Sequence, residues 1–206
     1  QRVFVETCTQ YLLLDDSVYE KEHFQGAQYV MSPPIRKQAD QASLWHGLRC
    51  GHVHTVATDH CPFNFCGQKD MGKNDFSKIP NGAAGIEHRL ELVFSEGVAK
   101  NRITMNKFVE VMCSNPARIF GLAQKGTLSV GKDADIVLFD PKEKHTLSSK
   151  THHHRVDHSI YEGFQVTGRV KTVLSRGKIV VRNNKTDQVS KGQGKFIKRR
   201  PFDFTL

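Results

Sequence analysis

His54-Thr55-Val56-Ala57-Thr58-Asp59-His60 is a β-branched run of strand length that ends on two polar, chemically competent side chains. Downstream, residues 61–80 mix Gly, Asn, Asp, Lys and Pro without periodicity. That pattern predicts a long loop of the kind kept for function. Beyond it, Ile86, Leu90, Val93 and Phe94, stopped at Gly97, predict a helix. A further helix is expected after Thr104 as N-cap, with Phe108, Val109 and Met112 on one face. A short one should start at Ser114-Asn115-Pro116 and end near Gly121. Upstream, Val3-Phe4-Val5-Glu6-Thr7 reads as a buried strand, Ser32-Pro33-Pro34 as an extended loop of fixed shape, and 37–48 as an amphipathic helix stopped by Gly51. Its expected apolar face is Ala39, Ala42, Trp45 and Leu48. Strands alternating with helices imply β/α units, whose ligand sites lie at the C-terminal ends of strands. Thr7-Cys8 and Asp59-His60 hold such positions.

After Gly126 the texture changes to short β-rich runs at 127–128, 135–140 and 170–181, separated by Gly-Lys and Arg-Gly-Lys turns. The expected organisation is an α/β portion over 1–125, a small β-domain over 126–185 and a C-terminal tail over 186–206. The 206 residues, 38% of them apolar, suffice for one sizeable core and a satellite. No run of 18 apolar residues argues for a membrane span, and no secretory signal is visible. The first residue, Gln1, leaves open that the protein starts upstream. The net charge of +9 permits polyanion binding, but the basic residues are scattered apart from Lys191, Lys195, Lys198, Arg199 and Arg200. A solvated tail or subunit contact is the better reading, with no nucleic acid as partner. Five unpaired-looking cysteines without a CxxC fit a reducing, cytoplasmic compartment. Cys61 and Cys66 read as ordinary loop thiols.

Asp59 is the first choice for chemistry. A carboxylate at a strand end can ligate a divalent metal through one oxygen and accept a proton from water with the other. Taken alone, Thr58-Asp59-His60 reads more simply as a structural element such as a cap on the following turn. Its context decides: Asp59-His60-Cys61-Pro62-Phe63, then Gly72-Lys73-Asn74-Asp75-Phe76, Ile79-Pro80-Asn81-Gly82 and Gly85-Ile86-Glu87. Further on come Asn115-Pro116-Ala117-Arg118-Ile119-Phe120-Gly121-Leu122 and Gly131-Lys132-Asp133-Ala134-Asp135. In this order the elements resemble the hydantoinase and dihydropyrimidinase branch of the amidohydrolases over nearly the whole chain.

The resemblance implies the last part of a (β/α)8 barrel followed by a small β-sandwich, and hydrolytic opening of 5,6-dihydrouracil, dihydrothymine or hydantoins in pyrimidine catabolism. It assigns metal ligation and proton transfer to Asp59. Recognition of the cyclic imide falls on Ser32 and Asn81, mainly through backbone groups, which suits adjacent donors and acceptors on a ring. It also implies two Zn2+ per complete subunit. The remaining ligands, a His-x-His pair, a carboxylated lysine and two histidines, together with an oxyanion-stabilising tyrosine, would lie in a region that this sequence does not contain. The chain by itself is therefore expected to be inactive. A homotetramer is implied for the complete protein, with the tail packing on neighbouring subunits. The alternative within the resemblance is a non-catalytic, collapsin-response-mediator-like interaction protein; the intact Asp59 favours the enzyme. His152-His153-His154 and His158 are expected to make local hydrogen bonds rather than bind metal. His60 should be structural, since neighbours on a strand face opposite ways. For Glu87 and Arg118 ordinary salt bridges are expected.

Overall fold

Two short parallel strands, β1 (Glu6–Cys8) and β2 (Thr55–Ala57), lie side by side with Thr7 opposite Val56. A computed structural model describes residues 3–186 and 191–201. Pairing begins later than the apolar pattern suggests, and the expected strand is buried only at its end. Val3 and Val5 stay 66% and 44% exposed, whereas Thr7 is buried. At Val5 the chain meets residue 54 without regular pairing: its carbonyl accepts the His54 N–H at 2.8 Å, while its own N–H donates to His54 Nδ1 at 3.1 Å.

Helix α1 (Thr9–Leu13) follows β1 directly, and α2 (Gln38–Cys50) precedes β2, stopping at Gly51 as predicted. Trp45 and Leu48 of α2 are buried, while Ala39 and Ala42 of the expected apolar face are exposed. The Trp45 indole donates to the Leu12 carbonyl at 3.2 Å, so α2 is pinned to α1 by a polar contact inside an apolar cluster. Helix α3 (Arg89–Val93) runs into a π turn over Phe94–Val98. Ile86 lies before the helix and is exposed, so it does not join the predicted face. Helix α4 (Met105–Val109) begins as expected, with Thr104 Oγ1 accepting the Lys107 N–H at 3.1 Å.

The expected separate helix at Ser114 is corrected. A π turn over Glu110–Ser114 joins α4 to α5 (Asn115–Ile119), and Ser114 has helical backbone angles with no capping bond. Its hydroxyl donates to Gly126 O instead. Pro116, which has no N–H to give, is tolerated because the wider turn just before it interrupts the α-helical ladder. That turn also re-aims the face, so Val111 is fully buried and Val109, expected inside, is 43% exposed.

Strands β3 (Ile136–Thr146), β4 (Gln165–Ser175), β5 (Lys178–Arg182) and β6 (Lys185–Thr186) form one antiparallel meander in sequence order. This sheet is what the described residues contribute to the expected β-sandwich. Its longest strand pair is bulged after Leu138 and after Asp140. β4 docks on α3: Val170 N–H donates to Glu91 Oε1 at 3.0 Å and Thr167 N–H to Ser95 Oγ at 3.0 Å. Between them Gly168, at φ 100°, admits the Phe94–Phe139 ring contact; a Cβ there would sit 2.6 Å from Phe94 and 2.5 Å from Phe139. The segment between β3 and β4 leaves the sheet, and Leu147, Ile160 and Tyr161 pack with Leu14, Tyr29 and Met31. Of the tail, 191–201 is described, and Arg200 N–H donates to Gly121 O. Residues 187–190 and 202–206 of the expected tail, and 1–2 at the start, lie outside the described residues.

Candidate active site

Asp59 sits two residues beyond β2, exposed, with left-handed backbone at φ 47°. Aspartate is one of the few residues that enters this region readily, and such positions collect where function re-aims a side chain. Immediately after it the chain resumes extended pairing, with His60 bridged in parallel to Ala83. The carboxylate of Asp59 has no hydrogen bond or ion pair among the described residues, which leaves both oxygens available. Side chains from elsewhere brace the strand that carries it. Arg89 Nη1 donates to Val56 O at 2.7 Å, Thr9 Oγ1 to Ala57 O at 3.3 Å, Gln10 Nε2 to Thr58 O at 3.2 Å and Asn115 Nδ2 to His54 O at 2.9 Å. His60 is positional, as expected: its Nδ1 accepts the N–H of Gly85 at 3.1 Å.

The two residues expected to hold a cyclic imide come together although 49 positions separate them: Ser32 Oγ donates to Asn81 Oδ1 at 3.2 Å. Lys69 underlies the pair. It is fully buried, and its ammonium donates to Val30 O at 2.9 Å and Pro80 O at 3.1 Å, one carbonyl from each segment. Gly82 N–H adds a bond to Val30 O. Gly82 itself has φ 142°, and a Cβ there would meet Cys61 O at 2.5 Å, so the loop after Asn81 closes against the one after Asp59 only through glycine. Burial lowers the Lys69 pKa to about 8. Tyr11 extends the same network by donating to Pro33 O at 2.8 Å. Its phenol is pushed up to about 12 by burial and then by the charges of Cys8 and Asp59. Cys8, at the end of β1, is likewise raised to about 11, first by burial and then by Glu6 and Asp59, which makes it a poor nucleophile.

One donor cannot hold zinc; a stable site takes three or four. Among the described residues Asp59 belongs to no group of three donors. Its unengaged carboxylate fits a single ligand position and no more. The group that does assemble is Glu87, His152 and His154, whose donor atoms lie within 4.8 Å of one another. The local bonds expected of the histidine run form in part. His153 Nδ1 and N–H meet the Glu87 carboxylate at 2.8 and 2.6 Å, so the partner found for Glu87 is a histidine, which is charged only when protonated, and His158 Nδ1 meets Asp157 at 3.1 Å. His154 Nε2 accepts the Glu87 N–H at 3.2 Å. His152 finds no hydrogen-bond partner for either ring nitrogen. Burial lowers His88 and His154 to about 4, so both rings are neutral at neutral pH. Arg118 is exposed and, contrary to expectation, makes no salt bridge among the described residues.

The amidohydrolase family model matches residues 36–180, a span that holds Asp59, Asn81 and the sheet. The chain belongs to the amidohydrolase family. Among its amidohydrolase relatives, the D-hydantoinase of Geobacillus stearothermophilus is 48% identical over 202 residues, covering 97% of this chain and 42% of that protein. A crystal structure of dihydropyrimidinase from Brevibacillus agri superposes with a TM-score of 0.96 at 50% identity, covering 98% of this chain and 44% of that one. The L-hydantoinase (dihydropyrimidinase) of Arthrobacter aurescens superposes at 0.78 with 31% identity over 89% of this chain and 40% of that one. The chain thus spans less than half the length of these relatives. The hydantoinase resemblance and the α/β-barrel class read from the sequence both stand. No helix among the described residues is long and apolar enough to cross a membrane.

Sequence reasoning missed Lys69, Arg89 and Asn115. Each acts by donating to a backbone carbonyl of a segment distant in sequence. A lysine in a Lys-Asp-Met-Gly loop looks like any solvated charge, and nothing local announces that it is buried.

Proposed function

We propose that the complete protein carrying this chain hydrolyses the cyclic amide bond of 5,6-dihydrouracil, dihydrothymine or hydantoins, giving N-carbamoyl amino acids. The observation that supports this best is the unengaged carboxylate of Asp59 at a strand end, in a chain that places the Ser32–Asn81 pair on one braced loop platform. In this reading the backbone groups of the Ser32 and Asn81 segments meet the donor and acceptor edge of the imide ring. Lys69 keeps the two segments at fixed separation. Asp59 accepts a proton from the attacking water and returns it to the departing ring nitrogen. Two zinc ions, one of them held in part by Asp59 and the remaining ligands lying beyond this chain, would supply the acidity that water needs near neutral pH. The complete protein would act as a cytoplasmic homotetramer on a small-molecule substrate, with no membrane or nucleic-acid partner.

The test is ring opening of dihydrouracil, followed by loss of ultraviolet absorbance, in the complete protein and its Asp59→Asn variant. Removing a general base lowers kcat by about 10²–10⁴-fold, and the variant should also retain less zinc. Unchanged turnover in the variant, or an inert zinc-free wild type, would remove the proposal and leave the interaction-protein alternative.

A further inference from the structure

The histidines gathered beside the strand end form a cluster that the reaction above does not use. Glu87 and His88 precede α3, whereas His152 and His154 belong to the segment between β3 and β4. The His152 and His154 rings lie 4.9 Å apart, and His88 lies 6.2 and 5.6 Å from them. Four polar atoms around this spot are buried with no hydrogen-bond partner: both nitrogens of His152, Nε2 of His88 and the hydroxyl of Tyr161. Buried polar atoms are nearly always paired, and a concentration of unpaired ones on imidazoles calls for something that accepts lone pairs.

We infer that Glu87, His152 and His154 form a second metal site, which takes a borderline first-row divalent cation such as Zn2+. Two imidazole nitrogens and one carboxylate oxygen are the donor set that favours zinc, nickel or copper over magnesium and calcium. Their mutual distances, all within 4.8 Å, need only side-chain adjustment to reach the tetrahedral edge. His152 gives up no hydrogen bond when it coordinates. The Glu87 carboxylate is oriented from behind by the N–H and Nδ1 of His153, an outer-shell support of the kind metal carboxylates use. Coordination by either nitrogen of His154 gives up the 3.2 Å contact with the Glu87 N–H, a long bond. His88 is the nearest further imidazole for a fourth position. A cavity of about 310 Å³ is lined in part by Glu87, His88 and His153, so it reaches the carboxylate side of the cluster. The ion would staple the segment before β4 to the turn before α3, next to His60, whose ring lies 5.0 Å from that of His154. Asp59 is not among the ligands, so this site stands or falls independently of the hydrolase reading.

The experiment is zinc content of the complete protein after equilibration with zinc and removal of the excess. Wild type is compared with a His152→Asn/His154→Gln double variant, each with Asp59 intact and with Asp59→Asn. The expected result is one zinc fewer per chain in the double variant on both backgrounds; equal content on both overturns the inference. Should the double variant fail to fold, anomalous scattering at the zinc edge from crystals of the unaltered protein decides. A peak bounded by Glu87, His152 and His154 supports the site, and its absence in zinc-equilibrated crystals rejects it.

Discussion

Replacing Lys69 by methionine tests whether the loop platform is held by a buried ammonium. Methionine keeps the length and volume of the side chain and removes the charge and its donors. In the wild type, burial lowers the amine from 10.5 to about 8. At about 1.4 kcal/mol per pH unit, the charged form costs the fold about 3 kcal/mol at neutral pH. The unfolded chain holds this proton up to its ordinary pKa, whereas the folded chain releases it from about pH 8. Between those values the unfolded state binds more protons, so the wild type gains stability as pH rises through the window. The variant has no such gain. At about pH 7 it is relieved of the buried charge but leaves Pro80 O without a donor, a loss of about 1–3 kcal/mol; Val30 O still has Gly82 N–H. The two effects nearly cancel there. By pH 10.5 the wild type should therefore have gained about 3 kcal/mol on the variant relative to neutral pH. Urea unfolding followed by the fluorescence of Trp45, the single tryptophan and a buried one, measures both proteins across this range. Other titrating groups are common to the pair and drop out of the difference. A difference that stays constant from pH 7 to 10.5 would show that Lys69 is solvated and the bracing argument wrong.

Substitutions at three further positions probe the frame around the site. Leu12→Ala empties a fully buried position where α1 meets α2, and should cost about 2–5 kcal/mol in urea unfolding. Thr104→Ala removes the acceptor for the Lys107 N–H and should cost about 1 kcal/mol, while Thr104→Asp retains most of the stability. Asp157 accepts the N–H groups of Phe65 at 2.7 Å and Cys66 at 3.0 Å. Burial raises its pKa, but these bonds and His158 outweigh it and hold the carboxyl at about 2. Its contribution is complete above the ordinary carboxylate range and is lost as pH falls toward 2. With the side chain 37% exposed the contribution is limited to about 1 kcal/mol. Asp157→Asn should flatten that part of the acid-unfolding profile and speed proteolysis near residues 65–66; an unchanged acid profile would count against the carboxylate's role.

What the sequence made legible follows from periodicity and end signals. The helix over Gln38–Cys50, the Thr104 cap and the strand before Asp59 were readable because each is specified by residues within one or two turns. The errors have one source. Val3 and Val5 carry strand propensity without a neighbouring strand to bury them, Ile86 carries the helical period across a turn, and Ser114-Asn115-Pro116 mimics a helix start inside a continuous one. In each case propensity was right about the residue and silent about its neighbour in space. The Ser32–Asn81 pairing came from resemblance alone, since nothing within either segment points to the other.

The geometry also explains why the site tolerates so little regular structure. β1 and β2 contribute three residues each, so most carbonyls around Asp59 have no ladder partner and need donors from elsewhere. Thr9, Gln10, Arg89 and Asn115 supply them on and around β2, and Tyr11 and Lys69 supply them to the loops bearing Ser32 and Asn81. All six act on backbone, so the position of Asp59 is set by residues that need not touch a substrate. Loss of one such donor leaves a carbonyl unpaired and lets its segment drift. Because reacting groups must be placed to within a fraction of an ångström, the cost should fall on turnover and binding together, out of proportion to the stability lost. Loss of Asp59 itself removes no brace; in the proposed reading it takes away the proton acceptor, and it should leave stability nearly unchanged. The comparison of the two kinds of variant separates chemistry from positioning in this fold.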